Sequence, residues 1–262
     1  MDKEYILSVS NVSRTFKLID GEFQALKNIN LHLSEGEMLA IIGESGSGKS
    51  TILKQIACLD TPNEGTVILK GKNVTGKKPA DVCHSMQMVF QDARGSFNPR
   101  MTFLGTIRES LKHAGIKDKD AQIKKAEELV EMVGLNKDVL KRYPANLSGG
   151  QCQRMAIARA LAAEPEIILC DEATSALDVS AQAQIIRLLK DLNESLGLSV
   201  IFVSHDIALV DGMCDRVMVM KSGQIVEEGP IHEVLSDPKN EYTKQLISSI
   251  LSIKDEPITF AS

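Results

Sequence analysis

Apolar residues in the first part of the chain recur at near-alternate positions: Ile6, Val9 and Val12, then Ala25, Ile29, Leu31 and Leu33. That two-residue period predicts half-buried strands, closed by the turn residues Ser34-Glu35-Gly36-Glu37. Met38-Leu39-Ala40-Ile41-Ile42 is apolar throughout, as a strand buried on both faces would be. Beyond a glycine-rich turn, Ile52, Leu53, Ile56 and Ala57 fall at helical spacing, so the local order is strand, loop, helix. Short β-like pieces return at 66–69 and 86–90, on either side of a Lys-rich stretch at 71–78. From about 92 to 144 the pattern is helical, with Ile107 and Leu111, then Ala126, Leu129, Val130 and Val133 on a charged background, which predicts a helical insertion. Helix and buried strand then alternate over 152–162, 167–170, 181–196 and 200–203, the signature of crossover units in an α/β fold with a parallel sheet. The last strands, 216–220 and 224–227, flank a hairpin-like Lys221-Ser222-Gly223, and a short helical tail follows.

The 262 residues suffice for one large domain, or one domain with a sizeable insertion, and a full core without disulfides or metals. With 30 Lys and Arg against 35 Asp and Glu, the net charge is −5 and no basic block attracts nucleic acid. Three Tyr, seven Phe and no Trp weaken a base-stacking role as well. No window approaches the roughly 18–20 apolar residues of a membrane span, and MDKEYILSVS lacks the charge order of a signal peptide. The five cysteines (58, 83, 152, 170 and 214) show no CxxC pair or zinc spacing, which predicts reduced, mostly buried thiols in a cytoplasmic protein.

Three constellations carry chemistry. Gly43-Glu44-Ser45-Gly46-Ser47-Gly48-Lys49-Ser50 fits a phosphate-binding loop between a buried strand and an amphipathic helix. Its glycines let backbone N–H groups curl around β- and γ-phosphates, Lys49 supplies a mobile charge, and the Ser50 hydroxyl suits Mg2+. The strand Ile167-Ile168-Leu169-Cys170 ends in Asp171 and Glu172, placing Asp171 to hold Mg2+ and Glu172 to deprotonate an attacking water. In Leu147-Ser148-Gly149-Gly150-Gln151, Ser148 caps a helix whose N-terminus is a second anion site. That site either binds a different anion or meets the same nucleotide from another subunit.

The segment 147–151 closely resembles the signature motif of ATP-binding cassette (ABC) ATPases. Its company, phosphate loop, acidic strand, Ser175-Ala176-Leu177-Asp178 and Val203-Ser204-His205-Asp206, stands in that family's order. The resemblance implies an ABC ATPase fold: a P-loop NTPase core with a RecA-like parallel sheet, an antiparallel β subdomain, and a helical subdomain inserted at about 92–147 of a domain spanning 1–250, with a tail at 251–262. It implies ATP and Mg2+ as ligands and a head-to-tail dimer in which Ser148, Gly149, Gly150 and Gln151 complete the partner's ATP site. It extends ATP binding to Thr51 and assigns Gln91 to Mg2+ and the water, His205 to the γ-phosphate and Asp178 to coupling between sites. Adenine stacking falls to Phe16, with Phe23 competing.

Gln91-Asp92-Ala93-Arg94-Gly95-Ser96-Phe97-Asn98-Pro99-Arg100 and Asn240-Glu241-Tyr242-Thr243-Lys244-Gln245-Leu246 resemble the peptide/nickel importer group. Its members imply a second, paralogous ATPase subunit, two transmembrane permeases, an extracytoplasmic substrate-binding protein and a place at the cytoplasmic membrane face, with no nucleic-acid partner. No cysteine follows Cys214, so no iron–sulfur cluster is expected, and the short tail points towards a nickel or metal-chelate cargo rather than a peptide. A soluble non-transport ABC ATPase of DNA repair or translation, and a P-loop kinase, are the competing readings.

Overall fold

The computed structural model describes residues 5–19 and 21–254; the expected tail beyond 254 lies outside the described residues. Two sheets organise the chain. Strands β1 (Leu7–Leu18), β2 (Gly21–Leu33), β4 (Glu64–Leu69) and β5 (Lys72–Asn73) form an antiparallel sheet in the order β2-β1-β4-β5. Strands β3 (Met38–Ile42), β6 (Met86–Val89), β7 (Ile167–Asp171), β8 (Ser199–Ser204), β9 (Arg216–Lys221) and β10 (Gln224–Pro230) form the second, in the order β10-β9-β3-β8-β7-β6. Only β10 runs antiparallel there, because a two-residue hairpin returns it from β9.

Strand alternation divides the apolar residues between two cores. Leu39 and Ile41 of β3, with Leu169, Ile201 and Met218, pack against the antiparallel sheet and helix α1 (Lys49–Ile56). Met38, Ala40 and Ile42, with Ile168, Cys170 and Phe202, face the other way onto helices α4 (Gly149–Leu161) and α5 (Val179–Leu196). A strand buried on both faces is continuous in sequence because each face has its own core. The insertion contributes α2 (Phe103–His113) and α3 (Lys119–Met132), whose buried Phe103, Ile107, Ala126 and Val130 extend the second core. Short α6 (Ile207–Asp211) and α7 (Ile231–Ser236) and the terminal α8 (Glu241–Lys254) complete the order.

Several boundaries differ from the sequence expectation. The helical pattern read from residue 92 begins only at Phe103, where the Thr102 hydroxyl accepts from Gly105 N–H; residues 92–102 are turns. Helix α4 starts at Gly149, directly behind the Ser148 cap read from the sequence and ahead of the apolar run at 152–162, because Ser148 and Gln151 form a reciprocal capping box. The alternation in β1 and β2 is imperfect because Asn11 and Asn28 adopt positive φ (53° and 51°), and the register shifts between Val9 and Val12.

Candidate functional site

The site lies at the carboxyl ends of the parallel strands, where ligands of open α/β sheets collect. Strand β3 delivers Gly43 into a tight loop that ends at Gly48, the N-cap of α1. At Gly43 (φ 152°) a Cβ would lie 2.2 Å from Met220 O, and at Gly48 (φ 108°) one would lie 2.8 Å from Ala25 O. Backbone thus crowds both glycines from below, leaving the upper side as a cradle of main-chain groups. The opening N–H groups of α1 have no carbonyl partner within the helix and aim into the cradle.

Lys49 is 4% exposed, and its ammonium donates to the carbonyls of Gly43 and Glu44, both at 2.8 Å. Burial pulls its pKa below the ordinary lysine value, against the opposing pull of Glu172, Asp171 and Glu44. The Ser47 hydroxyl is buried with no hydrogen-bond partner among the described residues; Ser45 and Gly46 are exposed, and Thr51 is half-buried. From below, Gly223 N–H donates to Ser47 O at 2.9 Å while Lys27 N–H donates to Gly223 O at 2.8 Å.

Strand β7 brings the acids to the same place. Ser50 Oγ donates to Asp171 Oδ1 at 2.7 Å. Burial raises the Asp171 pKa and Glu172 adds to the rise, while the Ser50 bond opposes it. A hydroxyl and a carboxylate at this spacing are hard oxygen donors that fit Mg2+. Glu172 stands in the left-handed region (φ 46°), with its N–H donating to Val203 O at 3.2 Å. A non-glycine residue there carries strain that is common where a side chain is aimed for function. Its Oε2 lies 3.8 Å from Nδ1 of the exposed His205. Ser175 joins the group: its hydroxyl donates to Glu172 O at 3.1 Å and accepts from Gln91 Nε2 at 3.0 Å. The sequence reading missed Ser175 as a link, and the motif around it carries no signal for that bridge.

The phosphate loop, Asp171, Glu172, His205 and Gln91 therefore share one edge of the sheet. Residues 148–151 are tied elsewhere. Ser148 and Gln151 bond each other, Arg94 donates to Leu147 O at 2.6 Å, and a Cβ on Gly149 would meet Leu177 at 3.2 Å. Among the described residues no hydrogen bond joins 148–151 to 43–51. Asp178 caps α5 by accepting from Ala181 N–H at 2.8 Å. Phe16 pairs across the hairpin with Phe23, and Arg14 lies 4.6 Å over its ring. Arg14 grips Asp60 through two 2.8 Å bonds, and Asp60 also accepts from Gln55 of α1. Phe16 is thereby fixed relative to the phosphate-loop helix, whereas Phe23 is 50% exposed.

Fold and site together define a phosphate-loop ATPase of the cassette type, and comparison with known proteins agrees. The sequence profile of the ABC transporter family matches residues 26–175. Over 252 residues the chain is 42% identical to the oligopeptide transport ATP-binding protein OppF of Bacillus subtilis, covering 94% of this chain and 83% of that protein. It is 40% identical to OppF of Escherichia coli over 261 residues, covering 95% and 78%. Among solved structures, a dimeric post-hydrolysis state of the ATP-binding cassette MJ0796 bound to ADP and Pi superposes with a TM-score of 0.78 at 38% identity, covering 86% of this chain and 98% of that one. The cbiO1 subunit of the cbiONQ ABC transporter complex of Clostridium perfringens gives 0.78 at 28% identity, covering 95% and 97%. The chain belongs to the ABC transporter family, and it is an ATP-hydrolysing, ATP-binding subunit with the ABC ATPase fold.

Proposed function

We propose that this ATPase powers uptake of oligopeptides as one of two cassettes in a head-to-tail dimer. The observation that carries the dimer is the separation just described: one chain holds two phosphate-grade helix N-termini, α1 and α4, with no hydrogen bond between their loops among the described residues. The second is used if the Ser148 to Gln151 segment of each subunit closes over the ATP of the other. The OppF relatives, named for oligopeptide transport, favour a peptide cargo over the nickel branch; in this reading the chain works at the cytoplasmic membrane face with a paralogous second cassette, two permeases and an extracytoplasmic substrate-binding protein. No described helix is long and apolar enough to cross a membrane. A groove of about 640 Å3, lined by Leu59, Val82, Met88, Phe90 and Arg159 among others, runs between the sheet core and α2 and suits a permease segment.

Within the site, the residues from Gly43 through Thr51 bind the phosphates, and Phe16 stacks on adenine. Ser50, Asp171 and Gln91 would hold Mg2+, which would neutralise negative charge developing on the phosphates. Glu172 accepts the proton of the attacking water, His205 bonds the γ-phosphate, and Ser175 couples Gln91 to the Glu172 backbone. Asp178, at the head of α5, transmits closure between sites.

Glu172→Gln tests the scheme, since it removes the base and leaves the cradle intact. Turnover should fall by about 10²–10⁴-fold, ATP binding should persist, and a nucleotide-dependent dimer should accumulate in size-exclusion chromatography. Hydrolysis near the wild-type rate would refute the assignment of Glu172.

A further inference from the structure

The segment from Asn240 to Thr243 resembled related ATPases without acquiring a role; in the structure it opens α8 beside the phosphate loop. Tyr242 is 6% exposed, and its hydroxyl accepts a hydrogen bond from Glu44 N–H at 3.1 Å. That N–H shares a peptide unit with the Gly43 carbonyl, which accepts the Lys49 ammonium at 2.8 Å. One planar unit is therefore held at one end by the buried cation and at the other by the phenol.

The phenol is itself held. Lys221 Nζ lies 4.4 Å from the ring centroid, at the end of the strand whose Met220 carbonyl crowds Gly43. The carboxylate of Glu227, on β10, accepts the N–H groups of Lys239 and Asn240 at 2.7 and 3.1 Å. The Asn240 side chain donates to Val226 O at 3.3 Å and accepts from Tyr242 N–H at 2.9 Å. A continuous set of bonds thus runs from β10 through the start of α8 to the loop.

We propose that Tyr242 is a positioning residue of the ATP site: its hydroxyl holds the Gly43–Glu44 peptide in place when Lys49 leaves that carbonyl for the phosphates, so that α8 sets nucleotide affinity. This rests on the assignment of residues 43–51 to the phosphates. Two of the three Lys49 N–H donors are taken by the Gly43 and Glu44 carbonyls, so bonding a β- and a γ-oxygen together requires giving up at least one of them; giving up Gly43 frees one end of the peptide. With the phenol in place the other end stays anchored and the cradle keeps its shape; without it the loop must be ordered by the nucleotide, at a cost in affinity.

Tyr242→Phe in the full chain removes only the hydroxyl and keeps the ring against Lys221. Its Kd and KM for ATP should rise about 5-fold, the size of one net hydrogen bond, with kcat within 2-fold of wild type. Val234→Ala, at a buried position of α7, controls for lost stability: it should lower Tm while leaving KM unchanged. Lys49→Ala separates the two layers of the argument. If it abolishes ATP binding while Tyr242→Phe leaves KM unchanged or lowers it, the role of Tyr242 is overturned alone. If Lys49→Ala binds ATP normally, the phosphate-loop assignment falls and the proposal with it. A KM raised equally by Val234→Ala would also overturn it, since the effect would then follow stability rather than position.

Discussion

Gly223 lies outside every motif, yet it supports the phosphate loop from beneath, and the structure supplies a matched control for its replacement. Ser222 and Gly223 form a two-residue turn with φ values of 48° and 81°, and Lys70 and Gly71 form another of the same kind with 51° and 71°. Both link strands paired at the flanking residues, Lys221 with Gln224 and Leu69 with Lys72. The surroundings differ. A Cβ on Gly71 meets nothing within 4 Å, whereas one on Gly223 would lie 2.6 Å from Ala25 O and 3.0 Å from its carbonyl carbon. Gly71→Ala therefore carries only the cost of a left-handed alanine, about 1 kcal/mol. Gly223→Ala adds a backbone overlap worth about 1–3 kcal/mol and strains the bonds to Ser47 O and from Lys27 N–H. At 2–4 °C per kcal/mol for a chain of this size, Tm should fall by about 2–4 °C for the first and about 5–15 °C for the second. Calorimetry of both variants, with equilibrium ATP binding beside it, makes the comparison: only Gly223→Ala should also weaken ATP binding. Equal Tm shifts, or unaltered ATP affinity in Gly223→Ala, would refute the claim that this close approach shapes the loop.

Burial raises the Asp171 pKa, so the folded state holds its proton to higher pH than the unfolded chain. The ionised carboxylate then costs stability above the ordinary carboxylate range, and that cost is relieved as pH falls through the raised pKa. Asp171→Asn should thus raise the Tm of the nucleotide-free protein by about 2–4 °C near neutral pH while abolishing Mg2+-dependent hydrolysis; a lowered Tm counts against the reasoning. Phe16→Ala should raise the Kd for ATP by roughly 5- to 100-fold, the worth of one base–aromatic stack, with Phe23→Ala within 2-fold, and the reverse result reassigns adenine to Phe23. Burial pushes the Cys170 thiol up to about 12 and raises those of Cys58, Cys152 and Cys214 too. Brief alkylation of native protein at pH 8, read by mass spectrometry, should label half-buried Cys83 first; prior labelling of Cys170 would show that the core opens readily.

Legibility followed the range of the interaction. The β3, loop, α1 unit was readable because its apolar run, glycines and helical spacing are contiguous, and the loop lies where they place it. Asp171 and Glu172 were readable as the polar end of a buried strand. The Ser148 cap was readable and α4 begins directly behind it, whereas the apolar run alone marks the helix only from 152, after a capping box has closed the first turn. The bulges at Asn11 and Asn28 were not readable, since either asparagine could have sat in an ordinary strand without the register that its partners impose.

By itself the sequence determined most of the longer strands and helices, which loop suits phosphate and which acids end a central strand, because each depends on neighbours a few residues away. Only the tertiary structure decided the order of strands that sets Ser50 beside Asp171, 121 positions on. It alone placed Ser175 between Gln91 and Glu172, Gly223 under Ser47, and Tyr242 on the Glu44 amide. Apart from the Ser175–Glu172 bond, those contacts join residues far apart in the chain. Each partner is an ordinary serine, glycine or tyrosine until two cores of fixed volume bring it to hydrogen-bonding distance.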